Sequence, residues 1–140
     1  MIVLDTNILS EMLRPSPARS VEEWLIAQPP PMLFITAITQ AEILYGLSLL
    51  DDGRKRKKLA QAIDAIFAED FADRILPFDT DAAAIYATIV SDRRRAGRPI
   101  SQFDGQIAAI ARTRGADLAT RNIRDFENCG ISLINPWQDI

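Results

Sequence analysis

The chain contains no histidine and a single cysteine, Cys129. Without histidine, neither a Ser-His-Asp nor a Cys-His nucleophile system can be built, nor a ribonuclease that uses histidine as acid and base. Zinc is nearly excluded too, since its sites draw on Cys and His, and one thiol cannot form a disulfide framework. No apolar run approaches the ~20 residues of a membrane span. The start, Met1-Ile2-Val3-Leu4-Asp5, has neither a basic n-region nor an apolar h-region. A cytoplasmic protein without membrane attachment is therefore expected. For a hydrolase, carboxylates and a hard cation are the tools that remain.

What is present suits one domain, expected over 1–140, with enough chain to bury a core. The net charge of −3 does not decide whether the partner is a nucleic acid, because distribution matters more than the sum. Cations cluster at Arg54, Lys55, Arg56, Lys57 and Lys58, again at Arg93, Arg94, Arg95 and Arg98, and more thinly at Arg121 and Arg124. Any one cluster alone reads as a solvated helix face or a helix C-terminus.

Apolar periodicity and turn residues predict an alternating order. A strand over Ile2 to Leu4 runs into the polar turn Asp5-Thr6-Asn7, and a short helix over Ile8 to Leu13 stops before Pro15 and Pro17. Ser20-Val21-Glu22-Glu23 has the form of a capping box, ended by Pro29, Pro30 and Pro31. After a strand at Leu33 to Thr36, Thr39-Gln40-Ala41-Glu42 forms a second capping box opening a helix to about Leu50. Helices are expected from Arg54 to about Ala68, from near Ala82 to Gly97, and from Ser101 to Gly115. Strands are expected at Arg74 to Phe78, Asp117 to Thr120 and Ser132 to Ile134, with a turn or short helix over Asn122 to Phe126. This order predicts an α/β fold, a parallel sheet covered by helices on both faces.

In open parallel sheets, ligands sit beyond the carboxyl ends of the strands. Asp5 follows the first strand, Asn122 follows Leu118-Ala119-Thr120, and Glu42 and Asp104 fall in the first turns of their predicted helices. Each has a structural explanation of its own. Asp5 can cap the next helix, Glu42 completes a capping box, Asp104 sits three residues after Ser101, and Asn122 suits a turn. Together they mean more, since carboxylates gathered in one pocket repel unless a cation offsets them. Oxygen-only donors select Mg²⁺ or Mn²⁺, which bind phosphate oxygens and activate water.

The same residues carry a family resemblance. Ile2-Val3-Leu4-Asp5-Thr6-Asn7 resembles the opening of PIN-domain proteins, and Ile38-Thr39-Gln40-Ala41-Glu42-Ile43 with Gly46 resembles their glutamate-bearing helix. Asp104-Gly105-Gln106-Ile107-Ala108-Ala109 is similar to the helix with their third acid, and Leu118-Ala119-Thr120-Arg121-Asn122 with Asp125-Phe126 to their last motif. Arg74-Ile75-Leu76-Pro77-Phe78-Asp79 and the closing Asn135-Pro136-Trp137 resemble the FitB-like branch of VapC toxins. The resemblance implies a three-layer PIN sandwich with a central, mostly parallel sheet flanked by helices. It implies Mg²⁺ or Mn²⁺-dependent endonucleolytic cleavage of RNA by the toxin of a type II toxin–antitoxin pair. It also implies a homodimer neutralised by a small, DNA-binding antitoxin. Carried over by residue, Asp5, Glu42 and Asp104 are the metal-binding triad and Asn122 the fourth catalytic position, where many relatives have aspartate. Thr6, Thr120 and Asp125 are expected to support the acids, and Arg121 and Arg124 to steady substrate phosphates.

Competing classes fare less well. A haloacid-dehalogenase-type phosphatase wants a second aspartate two residues after the first, where Asn7 stands. A receiver domain wants a late lysine, and none follows Lys58. A PIN-fold module that binds RNA or protein without cutting, and a housekeeping RNA-processing nuclease, remain as alternatives. The helix bearing Ile43, Leu44, Tyr45, Leu47 and Leu50 is apolar round much of its circumference, so about half of those positions are expected in the core and the rest in an antitoxin groove or dimer seam.

Overall fold

A computed structural model describes residues 1–138; positions 139 and 140 of the expected domain lie outside the described residues. Five strands, β1 (Ile2–Leu4), β2 (Leu33–Thr36), β3 (Ile75–Leu76), β4 (Asp117–Ala119) and β5 (Leu133–Ile134), form one sheet in the order β3-β2-β1-β4-β5. All neighbouring pairs are parallel. Strand residues alternate between faces, and the two faces carry separate cores. Val3 and Leu118 pack with Ile89, Ile107 and Ile110 of helices α5 (Thr80–Arg95) and α6 (Gln102–Thr113). Leu4 and Ala119 pack on the other side, against α1 (Thr6–Met12), α2 (Arg19–Ala27), α3 (Ala37–Ser48) and α4 (Arg54–Ala65). Burial on both sides explains why β1 is apolar throughout instead of alternating. The expected three layers are present, and the sheet is parallel throughout the described residues.

The strand order places the site. From β1 the chain moves outward through β2 to β3, then returns to the other side of β1 to lay down β4 and β5. The reversal falls between β1 and β4, whose carboxyl ends therefore open the crevice where such sheets bind ligands. Asp5 and Thr120 are the residues that leave those two ends, and the Asp5 amide still pairs with the Ala119 carbonyl at 2.9 Å.

Several local expectations need correction. The polar turn after β1 is absent, because α1 begins at Thr6 with Asp5 in the N-cap position. Helix α2 begins at Arg19 after Ala18, without a side-chain cap, so Ser20 makes no capping box. Helix α3 begins at Ala37, capped by the Thr36 hydroxyl, which accepts from the Thr39 amide. Thr39 is thus inside the helix, its capping box does not exist, and Glu42 lies in the second turn rather than the first. Helix α4 ends at Ala65 and gives way to a π-helical turn, Ile66–Asp70. Strand β3 keeps only Ile75 and Leu76 of the five expected residues; Pro77, next in the chain, has no amide to donate to a ladder.

Candidate functional site

Asp5 stands at the centre of the crevice and is buried. One carboxylate oxygen accepts the Thr6 amide at 2.8 Å and the other accepts the Thr120 hydroxyl at 2.8 Å. An N-cap side chain ordinarily serves the amides two or three residues into its helix. Asp5 instead serves the adjacent amide and a distant strand end, so capping alone does not account for it.

Glu42 approaches from α3. Thr6 donates its hydroxyl to Glu42 Oε1 at 2.8 Å, so in the 3.0 Å contact between Thr6 and Thr39 it is Thr39 that donates. Thr36 in turn lies within 3.4 Å of the Thr39 hydroxyl. Thr36 and Thr39 are fully buried, so this chain of hydroxyls fixes Glu42 from beneath while its other oxygen stays unclaimed among the described residues. Asp104 enters from the first turn of α6, where its amide donates to the capping Ser101 hydroxyl at 3.2 Å.

The electrostatics tie the three acids together. Burial pushes the Asp5 carboxyl up to about 6, and the charges of Asp104 and Glu42 push the same way, against the lowering hydrogen bonds from Thr120 and Thr6. Glu42 is raised by burial and then by Asp104. Asp104 is raised by burial and by Asp125, while Arg93 pulls it down. Asp5 and Glu42 thus feel other acids of the trio and Asp104 feels Asp125, so burial and like charge together disfavour the ionised form of all three. An all-oxygen set in this state is what a hard divalent cation relieves. Among the described residues no three Asp, Glu, Cys or His side chains stand close enough to grip one ion together. Magnesium suits that spacing, because it keeps several of its own waters and needs only one or two protein carboxylates.

The remaining expected residues divide. Thr6 and Thr120 hold Glu42 and Asp5, as described. Asn122 is exposed and meets the site through its backbone, its amide donating to the Thr120 hydroxyl at 3.0 Å. Asp125, in the 3₁₀ turn Ile123–Phe126, acts on Asp104 through its charge. The Arg121 guanidinium lies 5.3 Å from the Trp137 ring centre, a cation–π contact, while Arg124 is exposed.

Sequence reasoning missed two participants. Asn7 bridges the strand ends, donating to the Thr120 hydroxyl and accepting the Arg121 amide, both at 3.4 Å. Arg93 is buried, and its guanidinium donates to the carbonyls of Arg98 at 2.7 Å and of Asp125 and Glu127 at 2.9 Å. Among the described residues it has no carboxylate partner within ion-pair distance. It thus pins the corner that carries Asp125 and leaves its charge to act on Asp104. A signal existed: Arg93 extends the stripe Ala82, Tyr86, Ile89 at helical spacing, whereas Arg94 and Arg95 leave it.

The model of the PIN domain family matches residues 2–130. The VapC ribonuclease Y4jK of Sinorhizobium fredii (strain NBRC 101917 / NGR234) is 39% identical over 138 residues, 99% of each chain. Toxin FitB of Neisseria gonorrhoeae (strain ATCC 700825 / FA 1090) is 41% identical over 139 residues, 99% of this chain and 100% of that one. In the solved structure of FitAB bound to an IR36 DNA fragment, a chain 40% identical superposes with a TM-score of 0.95, covering 100% of this chain and 98% of its own. With its family match, its near-full-length relatives and its shared fold, this chain belongs to the PIN domain family.

Proposed function

We propose that this chain, as a single PIN domain over 1–140, is the toxin of a toxin–antitoxin pair and a Mg²⁺- or Mn²⁺-dependent endoribonuclease. The observation that carries the reading is Asp5, buried at the β1–β4 switch with its carboxyl pushed up to about 6 by burial and by two further acids. A purely structural aspartate would gain nothing from that company. The relatives' names, a VapC ribonuclease and a FitB toxin, agree with it.

When bound, the cation supplies a water of lowered pKa and a charge that offsets the phosphodiester's. Asp5 and Asp104 would hold it, and Glu42 would complete its surroundings or orient the attacking water through its unclaimed oxygen. Thr120 and Thr6 keep Asp5 and Glu42 in place by hydrogen bonds that favour the ionised form. Hydrolysis forms a bond from the water oxygen to phosphorus and breaks the P–O3′ bond. The water's proton ends on the 3′-oxygen, and the product carries a 5′-phosphate. Arg121 and Arg124 would steady the neighbouring phosphates.

Partners follow the same reading. The FitAB–DNA structure pairs a relative with DNA, which supports a small DNA-binding antitoxin for this chain. In α3, Ile43 is buried and Leu47 half-buried, but Leu44 and Tyr45 are exposed, as is Leu50 just beyond the helix. Those three, with exposed Phe103 on α6, supply apolar surface for an antitoxin or for a second copy in a homodimer.

The test is growth after induced expression of the wild type and of Asp5→Ala, without antitoxin, followed by end-mapping of cellular RNA. Growth arrest and 5′-phosphate ends with the wild type alone are expected. A 2′,3′-cyclic phosphate product would refute the mechanism. Soluble, folded and harmless wild type would remove the toxin role and favour a binding module or a housekeeping nuclease.

A further inference from the structure

We propose that the basic block opening α4 is a second RNA-contact surface, holding backbone phosphates beside the groove that Glu42 lines. The proposal rests on the nuclease reading above. Arg54, Lys55, Arg56, Lys57 and Lys58 are the first five residues of α4. Arg54, Lys55, Lys57 and Lys58 are exposed, and among the described residues only Arg56 of the five has an acidic partner, Asp52 at 2.8 Å.

This arrangement opposes the fold twice over. The first turn of α4 carries no acid, so the cations sit at the positive end of the helix dipole. They also stand three and four residues apart, where like charges repel. A solvated face usually mixes its signs; Asp51 and Asp52 stand before this helix and Asp52 pairs with Arg56, yet the first acid within it is Asp64, so four of the five cations are left unmatched on their own helix. A polyanion laid across the block relieves both penalties, in a chain whose overall charge of −3 would otherwise repel it.

Position supplies the second argument. A groove of about 450 Å³ runs between α1, α3 and α4, lined by Thr6, Glu42, Leu47, Leu59 and Ile63; the five cations stand outside its lining, on the turn of α4 that precedes Leu59. Leu59 follows Lys58 directly and lies one turn beyond Lys55. From Glu42 to Ser48, the last residue of α3, the helix rises about 9 Å at 1.5 Å per residue. About three stacked nucleotides, at ~3.4 Å each along a strand, span that distance. A strand seated at the acids and running along α3 therefore meets α4, whose Leu59 and Ile63 line the same groove as Glu42, and the basic block opens that same helix, which favours RNA over a separate protein partner.

The probe is a fluorescently labelled, unstructured 20-nucleotide RNA, with a 4-nucleotide RNA as the short control. Binding to the wild type and to the triple variant Lys55→Gln, Lys57→Gln, Lys58→Gln is followed by anisotropy over a salt series. All three side chains are exposed, and a thermal melt confirms the variant's fold. The variant is expected to bind the 20-mer about tenfold or more weakly and to lose about 2 from its log–log salt slope, three contacts at ~0.7 each for single strands. Binding of the 4-mer should not change. An unchanged 20-mer affinity and slope would overturn the proposal. So would an equal loss of 4-mer binding, which would place the effect at the acid site and not along the groove. The RNA end-mapping above decides the nuclease reading separately, since the anisotropy needs no cleavage.

Discussion

Thr120 gives its only hydroxyl hydrogen to Asp5 Oδ2 at 2.8 Å, because its lone pairs already receive the Asn122 amide at 3.0 Å and the Asn7 side chain at 3.4 Å. The bond joins the ends of two parallel neighbours at the sheet's switch point and favours the ionised form of a buried acid. Thr120→Val keeps the shape and removes the donor. Asp5 should then bind a cation less well, by about 10- to 100-fold, and Thr120→Ser should restore it. Cleavage rate against Mg²⁺ concentration measures this; superimposable wild-type and valine curves would deny the hydroxyl that role.

Asp5→Asn should separate function from stability. The substitution removes the charge that makes Asp5 reactive and also the charge that burial penalises. Activity should vanish, while the melting temperature in chelator at pH 7.5 should stay within a few degrees of the wild type, because relief of the buried charge, on the order of 2 kcal/mol, is offset by an amide NH2 that must face the Thr6 or the Thr120 donor. A much lower melting temperature would show that Asp5 serves the fold more than the site.

The pH dependence of the metal-free protein follows from the same shift. Asp5 has an ordinary value of 3.8 and a folded value of about 6, so between those limits the folded state binds more protons than the unfolded one. Stability is then full at the acidic end and falls as pH rises through the folded value, by up to about 3 kcal/mol. Glu42 and Asp104 are also raised and act in the same direction. Glu11 opposes them, since the Ala18 amide lowers its carboxyl, but that contribution is complete once pH passes its ordinary value of 4.5. Melting in chelator should therefore decline from pH 4.5 to 7, and added Mg²⁺ should reverse much of the decline. A flat or rising chelator curve would mean that Asp5 does not titrate there.

The sequence read alone reached the sheet and the layers, and singled out the three acids as candidates, because each depends on a local pattern. Apolar runs at Ile2 to Leu4 and Leu33 to Thr36, and stripes such as Ile85, Ile89 and Ile107, Ile110, carry their own periodicity. Capping was harder to read. Thr36 and Thr39 both suit an N-cap, and the choice depends on how β2 delivers the chain into α3, a tertiary matter. Choosing Thr39 gave Glu42 a bland explanation that the fold removes. Arg93 was hidden for the opposite reason. It looks like Arg94 and Arg95, and only the phase of α5 against α6 decides which arginine is buried.

Gly105 tests how tightly that packing fixes Asp104. A Cβ there would lie 3.0 Å from both Tyr86 Cε2 and Val90 Cγ2 on α5. Gly105→Ala should therefore wedge α6 from α5 and cost about 1–3 kcal/mol, outweighing the better helix propensity of alanine. Because Asp104 is adjacent, cleavage should fall as well. A variant as stable and active as the wild type would show that the two helices separate freely at this point.

Arg121 is exposed, yet Trp137 lies under its guanidinium with the centres 5.3 Å apart. The stacking restrains a long side chain beside Asn122 and the strand end that carries Thr120, which lowers the entropy lost when it meets a phosphate. If Arg121 contacts one phosphate, Arg121→Ala should weaken RNA binding and reduce the salt slope by about 0.7. Trp137→Leu keeps the charge and removes the stack, so it should weaken binding while leaving the slope nearly intact. Together the pair separates charge from orientation. An unchanged slope in Arg121→Ala would place the phosphate contact elsewhere, and equal slope losses in both variants would mean that Trp137 acts by more than holding Arg121.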